Sequence, residues 1–184
     1  MNTAPRMRLD RNTPTAAGQT ATTLPVLGEF CVLWSEAGLL RLAWGHGPLD
    51  PDAPTYRTLP EFLDPLRRYA QGEPVDLARV PVDLRGTRFQ RAVWNALRRI
   101  PFGQVRSYAG VAADIGNPRA TRAVGAANGA NPVPVVVPCH RVVGSGHRLG
   151  GYSGGLERKR ALLVHEGVRL VGDRLLPGQL ELFP

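Results

Sequence analysis

Three short helical stretches between Thr87 and Gly129, each with its own start and stop signals, constrain this chain more than any other feature. Thr87-Arg88-Phe89-Gln90 has the form of a capping box, in which Thr87 accepts from the Gln90 amide and the Gln90 side chain reaches back. Phe89, Val93, Trp94 and Leu97 then share one helical face, and Pro101 ends the segment. Ser107 is placed to cap a second helix through Val111 and Ile115, closed by Gly116. Asn117-Pro118 opens a third, with Pro118 in its first turn, running through Arg122 and Val124 toward Asn128-Gly129. Two short helices joined by a tight Gly-Asn-Pro turn form the helix-turn-helix pattern, whose second helix is the one that enters DNA.

That second helix is small nearly all round: Ala120, Thr121, Ala123, Gly125, Ala126 and Ala127, with Arg119 and Arg122 as its long polar residues. One face must pack on the core. Small side chains on the remainder let the backbone approach a partner closely, which suits a narrow DNA groove. The charge distribution agrees. Residues 1–83 carry 8 Lys+Arg against 10 Asp+Glu, while residues 84–184 carry 15 against 5, giving the net charge of +8. A basic half beside a near-neutral half suggests a polyanion-binding domain on a supporting one. Lys159 is the only lysine, and the arginine preference carries no functional weight by itself.

The N-terminal half reads differently. Phe30 to Trp34, a turn at Ser35-Glu36-Ala37-Gly38, and Leu39 to Trp44 make a hairpin. Apolar residues at 59, 62, 63, 66 and 69 make a helical stripe stopped by Gly72. Leu77, Val80, Val82 and Leu84 suggest a further strand. The expected organisation is a disordered Thr-, Ala- and Pro-rich leader (1–23), a small α/β domain (24–84), a mainly α domain with a winged-helix-like helix-turn-helix unit (85–172) and a tail (173–184).

Other classes are excluded early. No apolar run approaches the ~20 residues of a membrane-spanning helix. Two cysteines, at 31 and 139, give no disulfide framework, and a reducing cytoplasm is expected. Pro138-Cys139-His140-Arg141-Val142 places one of them beside a histidine, after the apolar run Val133-Pro134-Val135-Val136-Val137. An imidazole within reach can generate the nucleophilic thiolate. Neighbours on an extended strand point to opposite faces, so cooperation requires a bend or a bridging water. Taken alone, the dipeptide better suits a buried cysteine with an incidental histidine, since free cysteine is among the most buried residue types.

Together these stretches resemble the O6-alkylguanine-DNA alkyltransferase family, also called methylated-DNA–protein-cysteine methyltransferases. The matching segments are Thr87–Trp94, Ile100–Val105, Gly116-Asn117-Pro118, Arg122–Ala126, Asn131-Pro132, Val137–Val142 and His165-Glu166-Gly167, in one order across residues 87–167. The resemblance implies that Cys139 accepts the alkyl group, with His140 as base through a water and Glu166 orienting the imidazole. It implies that Asn131 braces the active-site turn, Tyr108 hydrogen-bonds the flipped base, and Arg122 fills the vacated stack. Val142, Tyr152 and Ser153 match pocket positions; Arg119, Ala123 and Gly125 lie on the implied DNA-binding helix. Without the family, Glu166 reads as an exposed helix end, Tyr108 as a core aromatic, Asn131-Pro132 as a turn, and Ser153 as a helix cap.

The implied reaction is repair of O6-alkylguanine, with O4-alkylthymine, in double-stranded alkylated DNA, by a monomer needing no cofactor and no metal. A lesion inside a duplex is reachable only by flipping the nucleotide out. Attack at an sp³ carbon needs an aligned thiolate and donors to the departing base, and the thioether product allows one turnover. Two departures stand out: Thr121 is bulkier than the family's common alanine, and Ala130 replaces a polar or glycine position. Alkyltransferase-like lesion binders lack the cysteine, and a helix-turn-helix regulator leaves Pro138–Val142 unexplained. The terminal Gln179-Leu180-Glu181-Leu182-Phe183-Pro184 resembles the peptide that docks on the bacterial sliding clamp, through Gln179, Leu180, Leu182 and Phe183. The alternative is that this tail packs back on its own core.

Overall fold

A computed structural model describes residues 16–176 apart from 46 and 48. The chain opens with three antiparallel strands, β1 (Gly18–Leu24), β2 (Gly28–Ser35) and β3 (Gly38–Trp44), in the order β1-β2-β3. β1 begins inside the segment expected as a disordered leader. Its run of Thr20, Ala21, Thr22 and Thr23 is β-branched enough to pair with Val32 through Glu29, so residues 18–23 belong to the sheet. The β2–β3 turn closes at Gly38, whose φ of 135° and approach to the Pro81 carbonyl leave no room for a Cβ.

Both sheet edges are taken up by irregular chain. On the β3 side the Leu39 amide donates to Pro81 O, the Asp83 amide to Leu39 O, and the Leu42 amide to Pro132 O. On the β1 side the Gln19 amide donates to Pro54 O and the Tyr56 amide to Gln19 O. The helical stripe forms a short 3-10 turn (Glu61–Leu63) leading into α1 (Asp64–Ala70). The strand expected from Leu77 to Leu84 is absent. The Asp76 carboxylate accepts from the Ala78 amide and winds residues 77–79 into a 3-10 turn, leaving only Val82 paired, with Leu39.

The second half follows its start signals. α2 (Arg88–Leu97) carries the complete capping box, with Thr87 Oγ1 accepting from Gln90 N at 3.2 Å and Gln90 Oε1 from Thr87 N at 2.9 Å. The two-residue strand β4 (Arg106–Ser107) leads into α3 (Tyr108–Asp114), capped by Ser107. α4 (Thr121–Gly129) starts three residues later than Pro118. Residues 117–120 form a turn closed by Ala120 N to Asn117 O, which places Arg119 ahead of the helix and not on it. The remaining elements are β5 (Val142–Val143), parallel to β4, then α5 (Leu156–His165) and a small hairpin of β6 (Leu170–Val171) and β7 (Arg174–Leu175).

Helices α2, α3 and α4 pack on one another. Trp94, buried as expected, donates its indole N–H to Ala127 O at 2.9 Å and turns Val124, Ala127 and Asn128 of α4 inward. Core side chains from Leu27–Val80 and Val93–Leu162 form one continuous cluster, with no apolar boundary at residues 84–85. Residues 177–184, including the proposed clamp-docking peptide, lie outside the described residues, as do residues 1–15.

Candidate active site

Val133, Val135, Val136 and Val137 are buried and deliver Pro138 to a 3-10 turn over Cys139–Arg141. The chain therefore bends where an extended strand would separate Cys139 from His140. Val135 sits at φ 75°, a left-handed conformation that costs a β-branched residue about 1–3 kcal/mol. Asn131 spans that turn: its Nδ2 donates to Val137 O at 2.7 Å and its Oδ1 accepts from Val133 N at 3.0 Å. These two bonds bracket the left-handed Val135.

Behind the cysteine lies a closed array of charge. His140 is fully buried, and its Nε2 is 2.7 Å from Glu166 Oε1. Arg141, also buried, donates from Nε to Glu166 Oε2 (2.8 Å) and from Nη2 to Oε1 (3.0 Å), and from Nη1 to Ile100 O (2.6 Å). Gly103 N and the Tyr69 hydroxyl donate to the same carboxylate, at 3.2 and 2.8 Å. Gly103 reaches it only because φ is 74° and a Cβ there would lie 2.9 Å from Glu166 O. Glu166 ends α5 but is buried, not exposed. Burial pushes its carboxyl up, yet His140 and Arg141 outweigh that and hold it well below the usual range. Burial pulls His140 below its ordinary 6.5, with Glu166 opposing, so the imidazole is neutral near pH 7. A neutral ring donating from Nε2 leaves Nδ1 as an acceptor, and Nδ1 has no partner among the described residues.

Around the thiol the groups are donors. Burial raises the Cys139 pKa; Asn131, Tyr152 and Lys159 each pull it back. The Tyr152 hydroxyl is buried beside the thiol and has no well-formed bond to any other group among the described residues. Lys159 is fully buried and donates to Val142 O at 2.6 Å and to Leu149 O. Burial brings its pKa down to about 8, with Cys139 opposing. Asn128 Nδ2 lies 3.4 Å from Cys139 O.

A cleft is lined by Ser107, Tyr108, Ala109, Thr121, Arg122, Gly125 and Ser145. It brings Tyr108, Arg122 and Gly125 together, with Thr121 beside them. Burial and Cys139 raise the Tyr108 pKa, so its hydroxyl keeps its proton. Arg122 and Ala123 are exposed on the outer face of α4, and Arg119 is exposed on the preceding turn, outside this cleft. Val142 is buried, with its carbonyl accepting from Lys159; Ser153 is exposed, and α5 starts from Gly155 without a side-chain cap.

Four residues escaped the sequence reading. Tyr69 and Asn128 carried no signal beyond helical periodicity. Arg141 stood inside the Cys-His motif without a role. Lys159 had one signal, as the single lysine among 23 basic residues.

The fold and site define a class: a protein with a buried thiol, Cys139, next to a histidine–carboxylate–arginine array, and with a helix-lined cleft that holds Tyr108 and Arg122. The family model described as "6-O-methylguanine DNA methyltransferase, DNA binding domain" matches residues 88–168. The methylated-DNA–protein-cysteine methyltransferase of Mycobacterium tuberculosis is 52% identical over 114 residues, covering 62% of this chain and 68% of that protein. The protein of the same name from Salmonella typhimurium is 62% identical over 86 residues, covering 47% and 50%. The crystal structure of Mycobacterium tuberculosis OGT in complex with DNA is similar with a TM-score of 0.72 at 39% identity, covering 81% and 92%. The chain belongs to the methylated-DNA–protein-cysteine methyltransferase family.

Proposed function

We propose that this chain repairs O6-alkylguanine, and O4-alkylthymine, in duplex DNA by moving the alkyl group irreversibly onto Cys139. It acts as a cytoplasmic monomer with no cofactor. One observation carries the reading: His140 is pinned through Nε2 to Glu166, leaving a buried Nδ1, without a partner among the described residues, on the residue next to the buried thiol.

The steps follow from that geometry. A water relays the Cys139 proton to His140 Nδ1, and Glu166, which Arg141 holds in place, stabilises the imidazolium. Sulfur supplies the electron pair that forms the S–C bond as the C–O6 bond breaks, and the departing electrons return to the purine. Tyr108, which keeps its proton, donates to the leaving base, with Ser153 as a second donor. Val142 and Tyr152 flank the base. Lys159 and the Tyr152 hydroxyl offset the cost of a buried thiolate. The thioether has no route back to a thiol, so each molecule turns over once.

Access to the lesion follows from α3 and α4 acting as a helix-turn-helix. The outer face of α4, with Ala123, Ala126 and the half-buried Gly125, approaches the minor groove closely, and Arg122 enters the stack as the nucleotide swings out. Arg119 contacts the flanking backbone. Incubation with a methylated duplex oligonucleotide, followed by intact-mass and peptide mapping, tests the proposal. One methyl group on Cys139 per molecule is the expected result; several turnovers, or a methyl group elsewhere, would refute it.

A further inference from the structure

Tyr69 belongs to α1, well outside the segments that carry the family resemblance, yet it ends in the centre of the charge array. Its side chain is fully buried, its hydroxyl lies 2.8 Å from Glu166 Oε1, and its ring packs edge-on against Phe102 (6.0 Å) and His165 (5.0 Å). His165 Nε2 lies 2.6 Å from Tyr69 O, so the residue before Glu166 clasps the tyrosine backbone as well. The oxygen that Tyr69 contacts is the one that accepts from His140.

Resting on the alkyl-transfer reading above, we infer that Tyr69 is a positioning residue, through which the N-terminal half sets the proton affinity of His140. A hydroxyl donating to Glu166 Oε1 draws negative charge away from the imidazole N–H on the same oxygen. The carboxylate then orients the ring without pulling a second proton onto it. Glu166 is also met by both Arg141 donors and Gly103 N; His140 faces Glu166, which favours its charged form, and Arg141 and Lys159, which oppose it. Tyr69 adds a neutral donor to this set, fixed by packing on two rings. Burial and the adjacent Glu166 charge raise its own pKa, so it stays protonated throughout the working range.

The test is the titration of His140, followed through its ring carbon resonance in histidine-labelled protein, beside the pH dependence of reaction with the free base O6-benzylguanine. Tyr69→Phe removes the donor and keeps the ring. The His140 midpoint is expected to rise by about one pH unit, and the acid limb of the rate profile to move with it, about tenfold in rate on that limb. Difluorotyrosine at position 69, a stronger donor, should move both in the opposite direction, and it decides the matter should the phenylalanine variant not fold. Unchanged midpoints in the folded variants overturn the role of Tyr69, even where the rate falls uniformly. Glu166→Gln, run in parallel, separates the two ideas: a normal rate there refutes the His140–Glu166 mechanism itself.

Discussion

Lys159→Met, made in a Cys139→Ser background, should give a stability difference that grows with pH. Lys159 is fully buried, and its ammonium donates to Val142 O and Leu149 O, with Gly151 O at 3.4 Å. Burial lowers its pKa from 10.5 to about 8, so between those values the unfolded chain binds the proton that the folded chain has released. Stability rises with pH wherever the unfolded state binds more protons. The contribution is therefore lost below pH 8, grows through the window and is complete above 10.5. Its full size is about 3 kcal/mol, since each pH unit across the window adds about 1.4 kcal/mol. Methionine keeps the stem and has no proton to titrate, so the pH-dependent part of the difference is the lysine's alone. Urea unfolding at constant ionic strength from about pH 7 to the ordinary lysine value of 10.5 reads the gap between the two proteins, and the serine keeps thiol titration out of it. A gap that stays flat across this range would show that the buried ammonium is not under strain, and the argument would fail.

Cys139→Ala should abolish alkyl transfer and leave binding to alkylated duplex DNA intact, as read by mass spectrometry and fluorescence anisotropy. Arg122→Ala should slow repair of duplex DNA while reaction with free O6-benzylguanine continues, because the free base needs no flipping; equal losses would place Arg122 in the pocket. Glu166→Gln should cost about 3–5 kcal/mol in urea unfolding near neutral pH, since Arg141 loses its buried counter-charge. The wild type's Glu166 contribution is present above its ordinary carboxyl value of 4.5 and lost as pH falls below it, so the difference should shrink in acid. A peptide of residues 175–184 should bind the bacterial sliding clamp in a fluorescence-polarisation assay, and absence of binding at high micromolar concentration would dispose of that proposal.

What could be read from the chain in advance was local. The Thr87–Gln90 capping box, the Ser107 cap and the Ser35–Gly38 turn each close within four residues, so their partners are visible in sequence. The same reasoning failed where two local signals competed. The alternation at Leu77, Val80 and Val82 suggested a strand, but a capping bond from Asp76 wound the segment instead. Pro118 resembled a helix start and proved to be a turn residue. The cysteine, histidine and glutamate were identified through the family resemblance. Their environment was not legible: Tyr69 meets Glu166 across 97 positions, and Arg141 meets Ile100 across 41. Nothing in the spacing of residues encodes contacts of that range.

The sheet edges have a meaning for how the molecule lives among its copies. A three-stranded sheet offers two rows of backbone groups to any passing strand, a common start for aggregation. Here three of the five bonds that close those rows end on the carbonyls of Pro54, Pro81 and Pro132, and the other two bring the Tyr56 and Asp83 amides onto Gln19 O and Leu39 O. Proline accepts but has no N–H of its own to offer beyond the bond it makes. Each row is thus occupied at these points by proline-bearing chain of the same molecule, a guard against templating its neighbours.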